Sequence, residues 1–376
     1  MFLEFIMSKL EFKKRIISRL RRKLKERSGI MLLAILWMLV ILTALAVGLG
    51  RNTKIELVLT KHAITQAKSK YYALAGIEFA RNQIQLDSKD KISFSFDNLY
   101  SCAVPNTEEL SSESLFRRNQ IGSGYFSILY EKDDPFVSQS KKYYGLSDED
   151  GRININSLDG KTAGVLRELI VLNGFSREDA NIIAYSIVDW IDPDSRITAE
   201  PYGAEDDYYS GLDRPYHCKN LFFDSKEELF LIRGMTPEIY NAVKEHITVF
   251  PKKGGFLVNF DTAPEEVLKA IARAAAGGAS NTEISDADSA VEKLVNYRKG
   301  DDGEEATSDD RIYDVNMLAL NAKEKAVLRS VSRYRSKRSQ YIRVNVFGTE
   351  ENSNIRSNIN AIISRKDLSL VYWNRT

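Results

Sequence analysis

The pattern of hydrophobic and polar positions divides the chain early. Ile30 to Gly50 (IMLLAILWMLVILTALAVGLG) runs for 21 residues without a charge. At about 1.5 Å per residue this predicts a helix of roughly 30 Å, long enough to cross a bilayer. From Arg51 the pattern turns amphipathic: Ala63, Ala67, Tyr71, Leu74 and Glu78 recur at spacings of three and four, with Lys61, Lys68, Lys70 and Arg81 between them. No proline occurs before Pro105, so one helix of about 80 Å is expected from Ile30 to about Ile84.

Beyond that helix, Gly124–Tyr130 reads as a strand, closed by Asp133-Asp134-Pro135. Near the C-terminus, Tyr341–Phe347 alternates Ile342, Val344 and Val346. Ile355–Ile363 places Ile359, Ala361 and Ile363 on one face, and Leu368–Trp373 gives a last strand. The polar linkers at 348–354 and 365–367 suit antiparallel turns. The fold class expected is α+β, a long helix carrying an antiparallel sheet whose early and late strands are about 170 residues apart. That interval reads as helical. Ser176-Arg-Glu-Asp179 predicts an N-cap before a helix ending near Trp190, and Ser225-x-x-Glu228 and Thr262-x-x-Glu265 match the capping box. Thr236-Pro237-Glu238 orders a cap, a first-turn proline and an acid. A loose repeat pairs Ile153–Ser157 with Val258–Thr262, and Leu172–Ser176 with Ile232–Thr236. The stretch Gly277–Asp310, rich in Gly, Ser and Asp, reads as a flexible excursion.

Charge sharpens the reading of the N-terminus. Lys and Arg total 53 against 52 Asp and Glu, yet the first 29 residues hold ten bases and three acids. A basic flank before an apolar run keeps the N-terminus cytoplasmic and sends the rest across the membrane. A secretory signal peptide fits less well, because the apolar run exceeds its usual core and lacks a clean cleavage site. Arg27-Ser28-Gly29 leading into Ile30-Met31-Leu32-Leu33 resembles a type IV prepilin leader, which a prepilin peptidase cuts after the glycine. Gly29 and Ile30 are then the processing residues. Tyr71–Arg81 is similar to the post-membrane part of pseudopilin helices. Counted from Ile30, the fifth residue is Ala34, where pilins carry a glutamate; a carboxylate in lipid is costly without a partner.

Lack of that glutamate is a trait of the K-type minor pseudopilins of type II secretion. Gly151–Asn156, Val188–Asp194, Gly203–Tyr209, Arg214–Tyr216, Leu229–Thr236 and Val258–Pro264 together resemble that family in order and spacing. The resemblance implies a pilin-like fold with a large inserted helical domain. The expected organisation is a basic leader at 1–29, a membrane segment at 30–50, the pilin-like helix and first strands at 51–147, the insert at 148–325 and the closing strands at 326–376. It also implies N-methylation of the mature chain, assembly with I- and J-type minor pseudopilins at the tip of the pseudopilus, a single inner-membrane span with the bulk periplasmic, and no homopolymer.

Between Asp192 and Asp213 stand seven carboxylates (Asp192, Asp194, Glu200, Glu205, Asp206, Asp207, Asp213) and one base, Arg196. Hard oxygen ligands without a His or Cys cluster suit Ca²⁺ better than Zn²⁺. Charge alone leaves a solvated acidic loop open, and the family resemblance implies calcium in this region. The ligands expected first are Asp192, Asp194, Glu205 and Asp206, followed by Asp189, Glu200, Asp213 and Asn220. The segments 172–176 and 232–236 resemble helix-hairpin-helix turns, so the rival reading is a membrane-anchored helix-hairpin-helix protein, or a competence-type minor pilin, that binds DNA. Acidic neighbours Glu178, Asp179 and Glu238 and the acidic balance beyond residue 29 argue against nucleic acid. No nucleophile–base set or phosphate loop is present, and His62, His217 and His246 are far apart, so no enzyme is expected. Cys102 and Cys218 could form one disulfide outside the cytoplasm, which their spacing does not decide.

Overall fold

The computed structural model describes residues 2–90, 93–105, 112–134, 137–277 and 281–375. Met1–Thr65 forms one compact unit and Gln66–Thr376 a second. The first unit is helix throughout its described residues, the opening part of α1 (Phe2–Asp87). Its large apolar side chains from Met31 to Leu49 are exposed, and it is long and apolar enough to cross a membrane. Gly29 and Ile30 lie within α1; the Ile30 side chain lies outside the described residues.

The second unit opens with the end of α1, followed by α2 (Ser112–Phe116), β1 (Asn119–Ile121), β2 (Gly124–Asp134), β3 (Val137–Tyr144) and β4 (Ser147–Asp148). A helical region follows: β5 (Ile153–Asn154), α3 (Ala163–Leu172), α4 (Arg177–Ile191), α5 (Asp206–Ser210), α6 (Pro237–Val243), β6 (Ile247–Thr248), β7 (Val258–Asn259), α7 (Glu265–Ala275), α8 (Asn281–Arg298) and α9 (Ala322–Val331). The chain closes with β8 (Arg335–Ser336), β9 (Tyr341–Glu350), β10 (Arg356–Ser364) and β11 (Leu370–Arg375).

The sheet runs β1-β2-β9-β10-β11, with β3 beside the outer half of β2 and β4 beside β9. On it α1 buries Ala73, Ile77, Ala80 and Ile84, spaced by four, three and four, against Phe126, Ile128, Val344, Val346, Ile359 and Ala361. Two glycines let the helix approach closely. A Cβ on Gly76 would strike Val346 and Phe126, and one on Gly348 would strike the backbone of α1. Each fully buried isoleucine in this layer contributes about 1.5–3 kcal/mol.

The helical lobe enters through β4 and leaves into β9. These strands pair, Ser147 opposite Arg343 and Asp148 opposite Ile342, so the insertion starts and ends at neighbouring points on the sheet. Buried polar groups hold the joint. Asp148 accepts from Thr262 Oγ1, Ser339 Oγ and Asn259 Nδ2. Glu149 pairs with Arg343 at 2.6 Å and accepts from Thr248 Oγ1 at 2.6 Å. Arg365 bridges Asp87 and Asp97 at 2.7 and 2.6 Å, all three buried.

Most predicted caps form as expected. Ser176 accepts from the Asp179 N–H, Thr236 accepts from the Ile239 N–H, and Ser225 with Glu228 closes a capping box. Thr262 does not cap a helix: α7 starts at Glu265 with Pro264 as N-cap, and the Thr262 hydroxyl goes to Asp148. A buried carboxylate is a stronger acceptor to satisfy than a helix end. The excursion expected at Gly277–Asp310 contains α8, which buries Ala287, Ala290, Val291, Leu294 and Val295 in the helical core. The repeat is structural: Ile153–Asn154 pairs in parallel with Ile247–Thr248, and Val258–Asn259 with Arg335–Ser336. Both cysteines are free, Cys102 in the sheet core and Cys218 against the helical core.

Candidate metal centre

Helix α4 ends at the site. Its apolar face (Ala180, Ile183, Ala184, Ile187) is buried, which fixes the roll of the helix and turns Asp189 inward until it too is fully buried. Asp192 is the C-cap, one turn later. The chain then loops through 193–204 and returns so that Glu205, the N-cap of α5, points back at them. One carboxylate oxygen from each of Asp189, Asp192 and Glu205 lies within 4.8 Å of the other two. The loop passes so close that a Cβ on Gly203 would collide with Asp189 Oδ2 and Ile197.

Three carboxylates at this spacing repel, and the C-terminal end of α4 adds negative potential of its own. The oxygens also lack donors. Asp189 Oδ1 accepts from the Thr198 N–H at 2.9 Å, while Asp189 Oδ2, Asp192 Oδ1, both oxygens of Glu205 and Asn220 Oδ1 are buried with no hydrogen-bond partner among the described residues. Buried polar atoms are rarely left so. Protonation responds accordingly. Burial, then Asp189, Asp192 and Asp194, pushes the Glu205 carboxyl up to about 7. Burial, then Asp194 and Asp189, raises Asp192 to about 6. Burial also raises Asp189. Behind the carboxylates Trp190 packs edge-on to Tyr209 at 5.0 Å and beside Tyr216 and Phe223, a wall that excludes water.

The donor set fits a hard divalent cation: several orphaned oxygens, a surplus of negative charge and no imidazole. Cys218 stands nearby, with its Sγ 3.7 Å from the Asp189 carbonyl, and burial pushes its thiol up to about 12. Softness and charge both favour Ca²⁺ over Zn²⁺ here.

Of the ligands expected first, Asp192 and Glu205 meet at the cluster; Asp194 lies beside it, its charge acting on both, and Asp206 stands apart. Asp206 turns away: its Oδ1 accepts from the Cys218 N–H at 2.9 Å and lies 3.1 Å from His217 Nδ1. Those two contacts hold its carboxyl below the usual range. Asp194 Oδ1 accepts from the Arg196 N–H at 2.8 Å, and its carbonyl lies 3.4 Å from Asn220 Nδ2. Glu200 and Asp213 are exposed. Asp189, ranked lower from sequence, is the most buried acid of the three. The signal for it is the i, i+3 spacing to Asp192 at the end of a helix whose buried face it shares.

The turns resembling helix-hairpin-helix motifs form, with Gly174 at φ +87° and Gly234 at φ +82°. Their basic side chains are engaged within the protein: Arg177 pairs with Glu168 at 2.7 Å, and Arg233 donates to the carbonyls of Pro201 and Gly203.

Comparison with known proteins addresses the same region. The sequence family described as "Type II secretion system (T2SS), protein K" matches residues 151–252, which contain the whole carboxylate cluster. Type II secretion system protein K of Aeromonas hydrophila is 24% identical over 66% of this chain and 71% of its own length. That of Pectobacterium carotovorum is 22% identical over 64% and 68%. A chain of the crystal structure of the GspK-GspI-GspJ complex from the enterotoxigenic Escherichia coli type 2 secretion system superposes with a TM-score of 0.58 at 15% identity. The superposition covers 84% of this chain and 99% of that one. An apolar N-terminal helix, an α1-on-sheet layer interrupted by a helical lobe, and the sequence matches through that lobe converge: this membrane-anchored chain is similar to type II secretion system protein K, and the model of that family matches its residues 151–252.

Proposed function

We propose that this chain is a non-catalytic minor pseudopilin that caps the tip of the type II secretion pseudopilus and so supports protein export across the outer membrane. The observation that carries the reading is the α1-and-sheet layer with a helical lobe inserted between β4 and β9, which holds α3 to α9 among the described residues. Stacked pilin-like subunits keep their helices inside and their heads outside. A lobe this large would clash if repeated along a shaft and is tolerated at an end. Ala34 supports the same place, since a terminal subunit has no further neighbour to engage with a membrane carboxylate. The basic flank at 9–27 supports a cytoplasmic N-terminus, an inner-membrane span and a periplasmic bulk. Processing by prepilin peptidase between Gly29 and Ile30 follows from the leader.

Calcium belongs to the same reading. Asp189, Asp192 and Glu205, with the Asn220 side-chain oxygen available, would hold Ca²⁺. Bound there, the ion would offset two of the three buried negative charges and tie α4 to the loop that follows it. The partners are I- and J-type minor pseudopilins, in keeping with the complex in which the similar fold is found. The test is to co-express the full chain with both partners, extract the assembly in detergent and measure its mass. One copy of each is expected; a filament of this chain alone would refute the assignment.

A further inference from the structure

The second hairpin turn, Ile232–Thr236, is unlike a phosphate-binding turn in what it touches. Arg233 Nη1 donates to the carbonyl of Gly203 at 2.9 Å and to that of Pro201 at 3.2 Å. Its guanidinium lies over the Tyr208 ring, 5.0 Å from the centroid, and its backbone N–H is 3.5 Å from Tyr209 Oη. The next residue, Gly234, packs against α4: a Cβ there would stand 3.0 Å from Ile182 and 3.3 Å from Ile183. The turn thus grips both halves of the metal centre, the helix that carries Asp189 and Asp192 and the loop that delivers Glu205. The loop has other holds as well: the Thr198 N–H donates to Asp189 Oδ1 at 2.9 Å, and Tyr202 stacks on Tyr185 of α4 with ring centroids 6.3 Å apart. Tyr202 and Gly203 donate to the Ala199 carbonyl, and Ser186 Oγ reaches the Tyr202 carbonyl at 3.3 Å.

We propose that Arg233 is the positioning residue of the metal centre: by clamping the Pro201 and Gly203 carbonyls and stacking on Tyr208, it fixes the approach of Glu205 to Asp189 and Asp192. The inference rests on the calcium reading above. Arg233 acts on geometry and not as a counter-charge, for the chief influences on Glu205 and Asp192 are burial and neighbouring carboxylates. A guanidinium suits the task because the two hydrogens on Nη1 reach two carbonyls while its face stacks on an aromatic ring.

The test measures Ca²⁺ affinity of the full-length chain in detergent by calorimetry, for wild type, Arg233→Ala, Arg233→Gln and Arg177→Ala. The last removes a different arginine of the helical lobe, paired with Glu168, and controls for general loss of stability. Outer partners of metal ligands typically carry about 10–100-fold in affinity. Arg233→Ala is therefore expected to weaken binding at least about tenfold, and Arg233→Gln, with one amide donor left, by less. Arg177→Ala should match wild type, and the pH dependence of affinity should keep its shape in every variant, because the Arg233 guanidinium is held on two carbonyls and a ring and not on a ligand carboxylate; a displaced profile in Arg233→Gln would show that its charge acts on the ligands and would overturn the positioning role. Wild-type affinity in Arg233→Ala overturns the proposal while leaving the calcium reading intact. Should that variant not fold, wild-type affinity in Arg233→Gln overturns it equally. Absence of calcium binding by wild type overturns the calcium reading, and the proposal with it.

Discussion

Replacing Glu205 by Gln should change the sign of its effect on stability with calcium. Without the ion, ionising Glu205 places a further negative charge beside Asp189 and Asp192 in a site where Glu205 is only 5% exposed. Its carboxyl accordingly rises to about 7 from an ordinary 4.5. With the folded value above the unfolded one, ionised Glu205 weakens the metal-free fold above pH 7, and the penalty fades as pH falls from 7 towards 4.5. The gap between the two values is worth roughly 3 kcal/mol at pH 8. Glutamine keeps the shape and removes the charge, so with chelator at pH 8 the variant should melt above wild type, by about 2–4 °C for each kcal/mol recovered. At pH 5 the difference should shrink to roughly a quarter, because the unfolded carboxyl is still largely ionised there. Calcium at about a thousand times its Kd reverses the order, because wild type then gains about 4.1 kcal/mol, more than the penalty it carries, and the variant gains little. Melting curves of the full-length chain in detergent, with calcium or chelator at pH 5 and 8, decide the matter. A variant destabilised equally in all four conditions would show that Glu205 is an ordinary packing residue and that the cluster holds no ion.

Other expectations test other parts of the account. N-terminal mass spectrometry of the membrane-extracted protein should find a mature chain starting at Ile30; a start beyond Gly50 would mean an ordinary signal peptide. Arg365→Met leaves Asp87 and Asp97 buried without their cation and should cost about 3–5 kcal/mol. Adding Asp87→Asn and Asp97→Asn should restore part of that loss, and no restoration would mean that Arg365 acts by packing alone. Calcium affinity should fall steeply between pH 8 and pH 5, because Glu205 and Asp192, at about 7 and 6, must shed protons to bind. Calorimetry showing equal affinity at both values would contradict the ligand set.

Periodicity exposed the elements whose stability is local. The cap at Ser176, the box at Ser225 and Glu228, and the alternation in β9 and β10 are written in neighbouring residues, and each formed as read. Elements that depend on a partner were harder to see. Strand β3 (VSQSKKYY) has no apolar alternation and exists because β2 extends past the edge of β9 and pairs with it. Helix α8 was hidden by Ser, Asp and Glu on its outer face, although Ala287, Ala290, Val291, Leu294 and Val295 keep a helical spacing. At the carboxylate cluster, the acidic run marked the region but not the direction of each side chain. Glu205 and Asp206 are adjacent, and the turn into α5 sends one to the cluster and the other to Cys218. Asp189 read as part of an ordinary helix because only the roll of α4 shows that it faces inward.

The position of the chain in the fibre is the central claim, and labelling tests it most directly. The full chain would carry a compact tag after Thr376, be expressed with the complete secretion system, and be located by electron microscopy of the assembled pseudopili. One label at one end of each fibre is the result expected. Labels spaced along the shaft would contradict the tip assignment and the steric argument from the helical lobe.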